Sequence, residues 1–166
     1  MLRLGILLHV NWLAVVFAAG QGMFALATLF SAATAFLALR MHRSCSIRIG
    51  AIAAVLGTAC DVLIVALDGL EFVPDAIGLP LPLWMTGLWL AFGTTLPAYA
   101  PILLKRLWLI PLLGVIGGGG AYTSARSFGA VQVGDAGQVM MSGMVGLVWA
   151  TMLPFLVFLS RRVLHS

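Results

Sequence analysis

Residues 49–68 read IGAIAAVLGTACDVLIVALD, twenty positions without a basic residue, one acid (Asp61) inside the run and another (Asp68) closing it. A helix of that length is about 30 Å long at 1.5 Å per residue, the thickness of a bilayer's hydrocarbon core. The rest of the chain matches this stretch. It has 62% hydrophobic and 8% charged residues over 166 positions, against about 25% charged in an ordinary soluble domain. A soluble domain this small cannot hide so much apolar surface from water, so the expected solvent is lipid and the expected class an all-α membrane protein.

Five further apolar runs flank the first, at 4–21, 23–39, 82–101, 107–126 and 138–159. Six spans of about 20 residues use about 120 positions, which leaves short loops and a single domain over 1–166. The separators differ in character. Gly20-Gln21-Gly22 is a tight uncharged turn, and Arg40 to Arg48 is a basic loop. Asp68 to Pro82 is acidic and proline-punctuated, Lys105-Arg106 is a short basic turn, and Ser127 to Gly137 is glycine-rich.

Charge orients these spans. Arg3, Arg40, Arg43, Arg48, Lys105, Arg106, Arg161 and Arg162, eight of the nine basic residues, fall on one side. Asp68, Glu71, Asp75 and Asp135, four of the five acids, fall on the other. Basic loops stay in the cytoplasm, so both termini are expected inside. A cleaved signal peptide over 1–20 is the rival reading, but His9 and Asn11 interrupt its apolar region and a second span follows at once.

The formal net charge of +4 needs no nucleic acid, because no basic patch is interleaved with aromatics. Cys45, expected in a loop, and Cys60, inside a span, suggest no disulfide and no zinc set. No metal or cofactor is expected: His9 is the one histidine within a span, with His42 and His165 in a loop and a tail. The run Gly117 to Gly120 lacks a P-loop ending. No nucleophile elbow or HExxH motif occurs, and the only lysine, Lys105, sits at an interface rather than mid-membrane.

Asp61 is the first candidate for chemistry. It lies thirteen residues beyond Arg48, about 19 Å into the membrane. A carboxylate at such depth costs roughly 2.5–3.5 kcal/mol on insertion scales, so it must be neutral, paired or facing a polar cavity. Its two readings are a working group, as ligand anchor or proton acceptor, and a hydrogen-bonded tie between helices. Trp89 falls at about the same depth, and a buried indole N–H wants an acceptor, so contact between the two is expected. Trp12 and Trp149 also fall mid-membrane, whereas Trp84 and Trp108 suit the interfacial belts.

Asp68 and Arg126 share the outer interface and can pair or stand separately in water. Arg126 also suits an anionic headgroup. Asn11, near the middle of the first span, is either glue between helices or part of a pocket. Thr94-Thr95-Leu96-Pro97 predicts a proline kink whose carbonyls the threonine hydroxyls can occupy. Small residues recur every fourth position, as Ala27/Ser31/Ala35 do and as Gly114/Gly118 do on the stripe that continues into Tyr122 and Arg126, and small residues so spaced let helices approach closely.

Gly57-x3-Asp61, Pro82-x-Trp84, Leu88-Trp89-x2-Phe92, Thr94-Thr95-Leu96, Gly114, Gly117-Gly118, Tyr122 and Gly129-Ala130 occur in that order, preceded by Asn11-Trp12. In this pattern the chain resembles a family of small proteobacterial inner-membrane proteins known as domain of unknown function 2878. It departs from the family at Pro97-Ala98-Tyr99-Ala100, where a more polar stretch is usual, and at Gly119-Gly120, where a proline is usual. Genes for such proteins commonly neighbour ones resembling cyclopropane-fatty-acid synthases and flavin-dependent oxidases. The resemblance thus implies a role in making or protecting modified membrane lipids, in the bacterial inner membrane.

The leading expectation is a protein that binds a lipid or other hydrophobic ligand in a polar pocket. Asp61, Trp89, Thr94, Tyr122 and Arg126 would line it, with Asn11 beside them; Asp61 would anchor and Arg126 would clamp a headgroup. The alternatives are an intramembrane lipid-modifying enzyme, a small proton-coupled transporter, and a structural subunit that serves partner membrane proteins.

Overall fold

The computed structural model describes residues 2–41, 43–73 and 81–164. The chain runs α1 (Leu2–Gly20), α2 (Phe24–Met41), α3 (Arg43–Ala66), β1 (Leu70–Phe72), α4 (Leu83–Thr95), a 3-10 turn (Leu96–Ala98), α5 (Ala100–Leu103), α6 (Leu109–Ser127), β2 (Val131–Val133) and α7 (Gly137–Leu164). The fold is all-α apart from one small strand pair, and each apolar run of the sequence becomes helical. His42, Asp75 and His165 lie outside the described residues.

Three details differ from the sequence reading. The basic segment after Arg40 is not a loop throughout, because α3 begins at Arg43 and carries Cys45 in its first turn. The run 82–101 is not one continuous helix. Pro97 has no N–H to continue the ladder, so α4 stops at Thr95, tightens into the 3-10 turn and resumes as the single turn α5. The hydroxyls of Thr94 and Thr95 donate to the carbonyls of Ala91 and Phe92, at 2.9 and 2.8 Å, as the last turn of α4 ends.

The third difference is a two-stranded antiparallel sheet where two loops were expected. Leu70 pairs with Val133, Glu71 with Gln132 and Phe72 with Val131. Leu70 and Val131 point inward and are buried, while Glu71 and Gln132 are exposed, the alternation of a half-buried ribbon. Gly129, with φ of 79°, turns the chain out of α6 towards β2, and Ala130 N–H then closes onto the Ala125 carbonyl at 3.0 Å. The pairing fixes the α3–α4 and α6–α7 connections at the same end of the bundle, which carries Asp68, Glu71 and Asp135.

The helix α4 forms the centre, packed against α1, α2 and α3, while α6 lies on α7 and α7 on α3. Small residues set these distances. A Cβ at Gly93 would collide with Ala53 and the Ile49 carbonyl of α3, and one at Gly87 would meet Ser31 of α2. The hydroxyls of Thr58 and Thr86 bond across α3 and α4 at 3.0 Å. Outside this core, large apolar side chains stand exposed on every long helix, among them Val10, Leu29, Val55, Ile116 and Leu147, with α4 exposing Leu83 at its first residue. Ser46–Ala66 and Gly137–Val163 are long and apolar enough to cross a membrane, and Gly5–Gly20 and Phe24–Arg40 are shorter apolar helices.

Candidate functional site

Asp61 is fully buried on the face of α3 turned towards α4 and α6. Both its carboxyl oxygens are occupied. Trp89 Nε1 on α4 donates to Oδ2 at 2.7 Å, and the Tyr122 hydroxyl on α6 donates to Oδ1. Three helices are thereby tied at one buried point. The expected Asp61–Trp89 contact is present, and Tyr122 joins it from a residue 61 positions away in sequence.

Around this clasp the indoles are layered. The Trp149 ring of α7 stacks on Trp89 with centroids 4.6 Å apart and planes inclined by 18°. Phe92 sets its edge against both, at 6.1 Å from Trp89 and 5.2 Å from Trp149. Glycines make room for the rings. A Cβ at Gly57 would run into the Trp89 indole, and one at Gly118 into that of Trp149. At Gly114 it would strike the Trp149 carbonyl itself, which is backbone and cannot turn aside.

On the other side of the layered rings lies a cavity of about 420 Å³, within the range of roughly 300–1,000 Å³ of small-molecule sites. Trp84, Leu88, Trp89 and Phe92 form its wall on α4, with Trp149 and Leu153 behind. Opposite stand Leu8, His9, Trp12 and Val16 of α1, and the backbone of Gly117, Gly118 and Gly120 of α6. At the strand end α1 and α6 touch, with the rings of Phe17 and Phe128 edge-on at 6.2 Å. Away from that joint the rim residues His9, Leu113, Gly117 and Gly120 are exposed, so the cavity opens on the flank of the bundle.

Asp61 is not one of the lining residues; it stands behind Trp89 and Tyr122, which are. Its carboxyl positions an aromatic wall rather than meeting an occupant directly. Thr94 is buried against Gly50 of α3, away from the cavity, its hydroxyl turned to Ala91. Asn11 is buried and absent from the lining, and neither its amide nitrogen nor its oxygen has a partner. The Arg126 guanidinium is exposed and donates to Gln138 Oε1 at 2.5 Å, and Gln138 donates in turn to Ser142. Among the described residues no ion pair joins Arg126 to Asp68. The structure therefore brings together Asp61, Trp89 and Tyr122 and leaves Asn11, Thr94 and Arg126 elsewhere.

The sequence matches a family over residues 3–155, described as "Protein of unknown function (DUF2878)". The chain belongs to that family. No curated protein and no solved structure matches it. The matched span of this DUF2878 protein covers the clasp, the layered indoles and the cavity. Among the described residues no group of His, Cys, Asp and Glu side chains is arranged to hold a metal ion.

Trp149, Trp84 and Trp12 were legible in the sequence only as aromatic residues at given depths, without a role. The usable signal for Trp149 is Gly118, since a glycine in a stripe facing a helix that carries a tryptophan leaves space for the ring. Gly117 and Gly120 carry a different signal. A Cβ at either would meet no atom within 4 Å, although glycine inside a helix costs about 1 kcal/mol relative to alanine. No protein neighbour requires them.

One consequence of the clasp is directly measurable. Tyr122→Phe removes a donor from a buried acceptor and is expected to cost about 1–3 kcal/mol, read as a lower midpoint in denaturation of the purified protein in detergent. An unchanged midpoint would show that the hydroxyl contributes nothing.

Proposed function

We propose that this DUF2878 protein crosses the bacterial inner membrane six times, with both termini inside, and binds a hydrophobic ligand in its flank cavity. The spans are α1, α2, α3, α4 continued through α5, α6 and α7. The exposed apolar belt around the helices supports lipid as solvent, and the strand pair supports a common side for the two acidic loops. Topology is tested with single cysteines in a background lacking Cys45 and Cys60. Asp135→Cys is expected to react with a membrane-impermeant thiol reagent added outside intact cells, and Lys105→Cys only after permeabilisation. The reverse pattern would invert the arrangement.

The observation that carries the ligand reading is the cavity itself: aromatic, held in shape by a buried hydrogen-bonded clasp, and open towards the surface where lipid would lie. A purely structural subunit has no use for a pre-formed hollow beside unneeded glycines. The ligand's role follows the family resemblance, as an accessory in making or protecting modified membrane lipids.

The test is to purify the protein in mild detergent and quantify co-purifying lipids by mass spectrometry. Wild type is expected to retain lipid near one per chain, and a Gly117→Leu/Gly120→Leu variant, whose side chains fill the cavity, is expected to lose it. Equal retention by both would remove the cavity from the function. Stoichiometric partner proteins in the same preparation would favour the structural-subunit reading.

A further inference from the structure

Most polar side chains around the flank cavity are already engaged. Trp89 Nε1 and the Tyr122 hydroxyl bind Asp61, and the Ser124 hydroxyl donates to the Gly120 carbonyl. The indole nitrogens of Trp84 and Trp149 are sealed in the packing, out of reach of the hollow. Among the described residues that leaves two polar side chains of the lining, and both belong to α1. They are His9 and Trp12, three residues apart and so on the same face of the helix.

His9 is exposed at the rim, and its Nδ1 lies 2.9 Å from the Gly5 carbonyl. A carbonyl oxygen only accepts, so Nδ1 carries the proton of that bond. In the neutral ring Nε2, on the edge away from the α1 backbone, is then an acceptor. Trp12 is partly buried, and its indole N–H makes no hydrogen bond among the described residues. Unlike the nitrogens of Trp84 and Trp149, that of Trp12 is not sealed from the surface. An indole N–H only donates. One turn of α1 therefore offers the cavity an acceptor beside a donor, in a lining without Asp, Glu, Lys or Arg.

The complement is a group that donates and accepts at once. A carboxyl group does so with two oxygens, its O–H donating to Nε2 and its C=O accepting from the indole. The pairing survives transfer of the proton, because an imidazolium Nε2–H then donates to the carboxylate. An ester lacks the donor. A phosphate headgroup brings a charge that no Arg or Lys of the wall answers. On the topology proposed above His9 lies six residues beyond Arg3, about 9 Å into the membrane, a depth at which an unanswered charge is costly.

We infer that the occupant is a single-chain amphiphile with a free carboxyl group, a fatty acid in chemical class. Its carboxyl bridges His9 Nε2 and Trp12 Nε1. Its chain lies between the aromatic wall of α4 and the bare backbone of Gly117 and Gly120. The assignment rests on the hydrophobic-ligand reading above and adds a headgroup to it.

The experiment uses the full chain reconstituted in nanodiscs, with retention of radiolabelled palmitic acid, methyl palmitate and hexadecanol measured against empty nanodiscs. Palmitic acid is expected to bind saturably, and methyl palmitate about two- to tenfold more weakly, the worth of one neutral hydrogen bond. His9→Phe should bring acid and ester to parity while leaving the ester's affinity unchanged, a pattern that loss of folding does not produce. Trp12→Phe should weaken acid and ester alike, since both present a carbonyl. Gly117→Leu/Gly120→Leu should abolish saturable retention of all three probes.

Saturable retention of none of the probes by wild type would overturn this inference and the cavity reading together. Equal retention of acid and ester, suppressed by the leucines, would leave the cavity reading standing and overturn the carboxyl assignment. Hexadecanol bound more tightly than the acid would overturn it in favour of a hydroxyl headgroup. The comparison of probes on wild type needs no variant, so it holds even if a substitution impairs folding.

Discussion

Replacing Asp61 by Ala is expected to lower the stability of the folded bundle by about 2–6 kcal/mol. The substitution leaves two buried donors, Trp89 Nε1–H and the Tyr122 hydroxyl, without an acceptor, and each such loss costs about 1–3 kcal/mol. The low end deserves more weight in lipid, because separated helices in a membrane also find partners for polar groups. Asp61→Asn should cost roughly half as much, since the amide keeps one acceptor oxygen and sets a donor against the other partner. Both are measured by denaturation in detergent, with the tryptophan emission of the layered indoles as readout. An Asp61→Ala protein as stable as wild type would mean that the carboxyl does not hold the helices, and would return it to the status of a working group.

The second large effect contrasts glycines on one helix. Gly114→Ala places a methyl group on the Trp149 carbonyl, so α6 and α7 must separate, at a cost of about 1–3 kcal/mol or more for overpacking. Gly117→Ala places the same group in open space and should be neutral or stabilising by up to about 1 kcal/mol. Opposite signs three residues apart would establish that Gly114 serves the protein and Gly117 serves what lies beside it. If Gly117→Ala destabilised as much as Gly114→Ala, its bare backbone would be part of ordinary helix packing, and its place in the ligand argument would fall.

Much of the fold was legible because its signals are one-dimensional. Apolar runs of helical length and the absence of interior charge are properties of consecutive residues. The strands escaped notice because LEF and VQV are too short to carry a period of their own, and they exist only by pairing with each other. The break at Thr95 was half visible: Pro97 announced a disturbance, but whether the helix bends or stops depends on what packs around it.

The candidate site divides along the same line. Asp61 stood out because an acid in an apolar run is costly wherever it is placed, and Trp89 because its depth could be counted. Asn11, Thr94 and Arg126 share that depth argument, yet the structure turns them away from Asp61, because depth along a helix says nothing about which way its face is rotated. Trp149 was not paired with anything for the same reason.

By itself, then, the sequence determined the helical class, the approximate limits of the apolar helices and the presence of a buried carboxyl that needs partners. Those follow from composition and spacing against the energetics of polar groups in an apolar medium. Only the tertiary structure decided that the partners are Trp89 and Tyr122, that Trp149 lies over them, and that a hollow opens between α1 and α6. Contacts of this kind depend on how helices rotate and cross, which is set jointly by small residues such as Gly57, Gly93, Gly114 and Gly118 on facing surfaces, and no stretch of one helix contains that information.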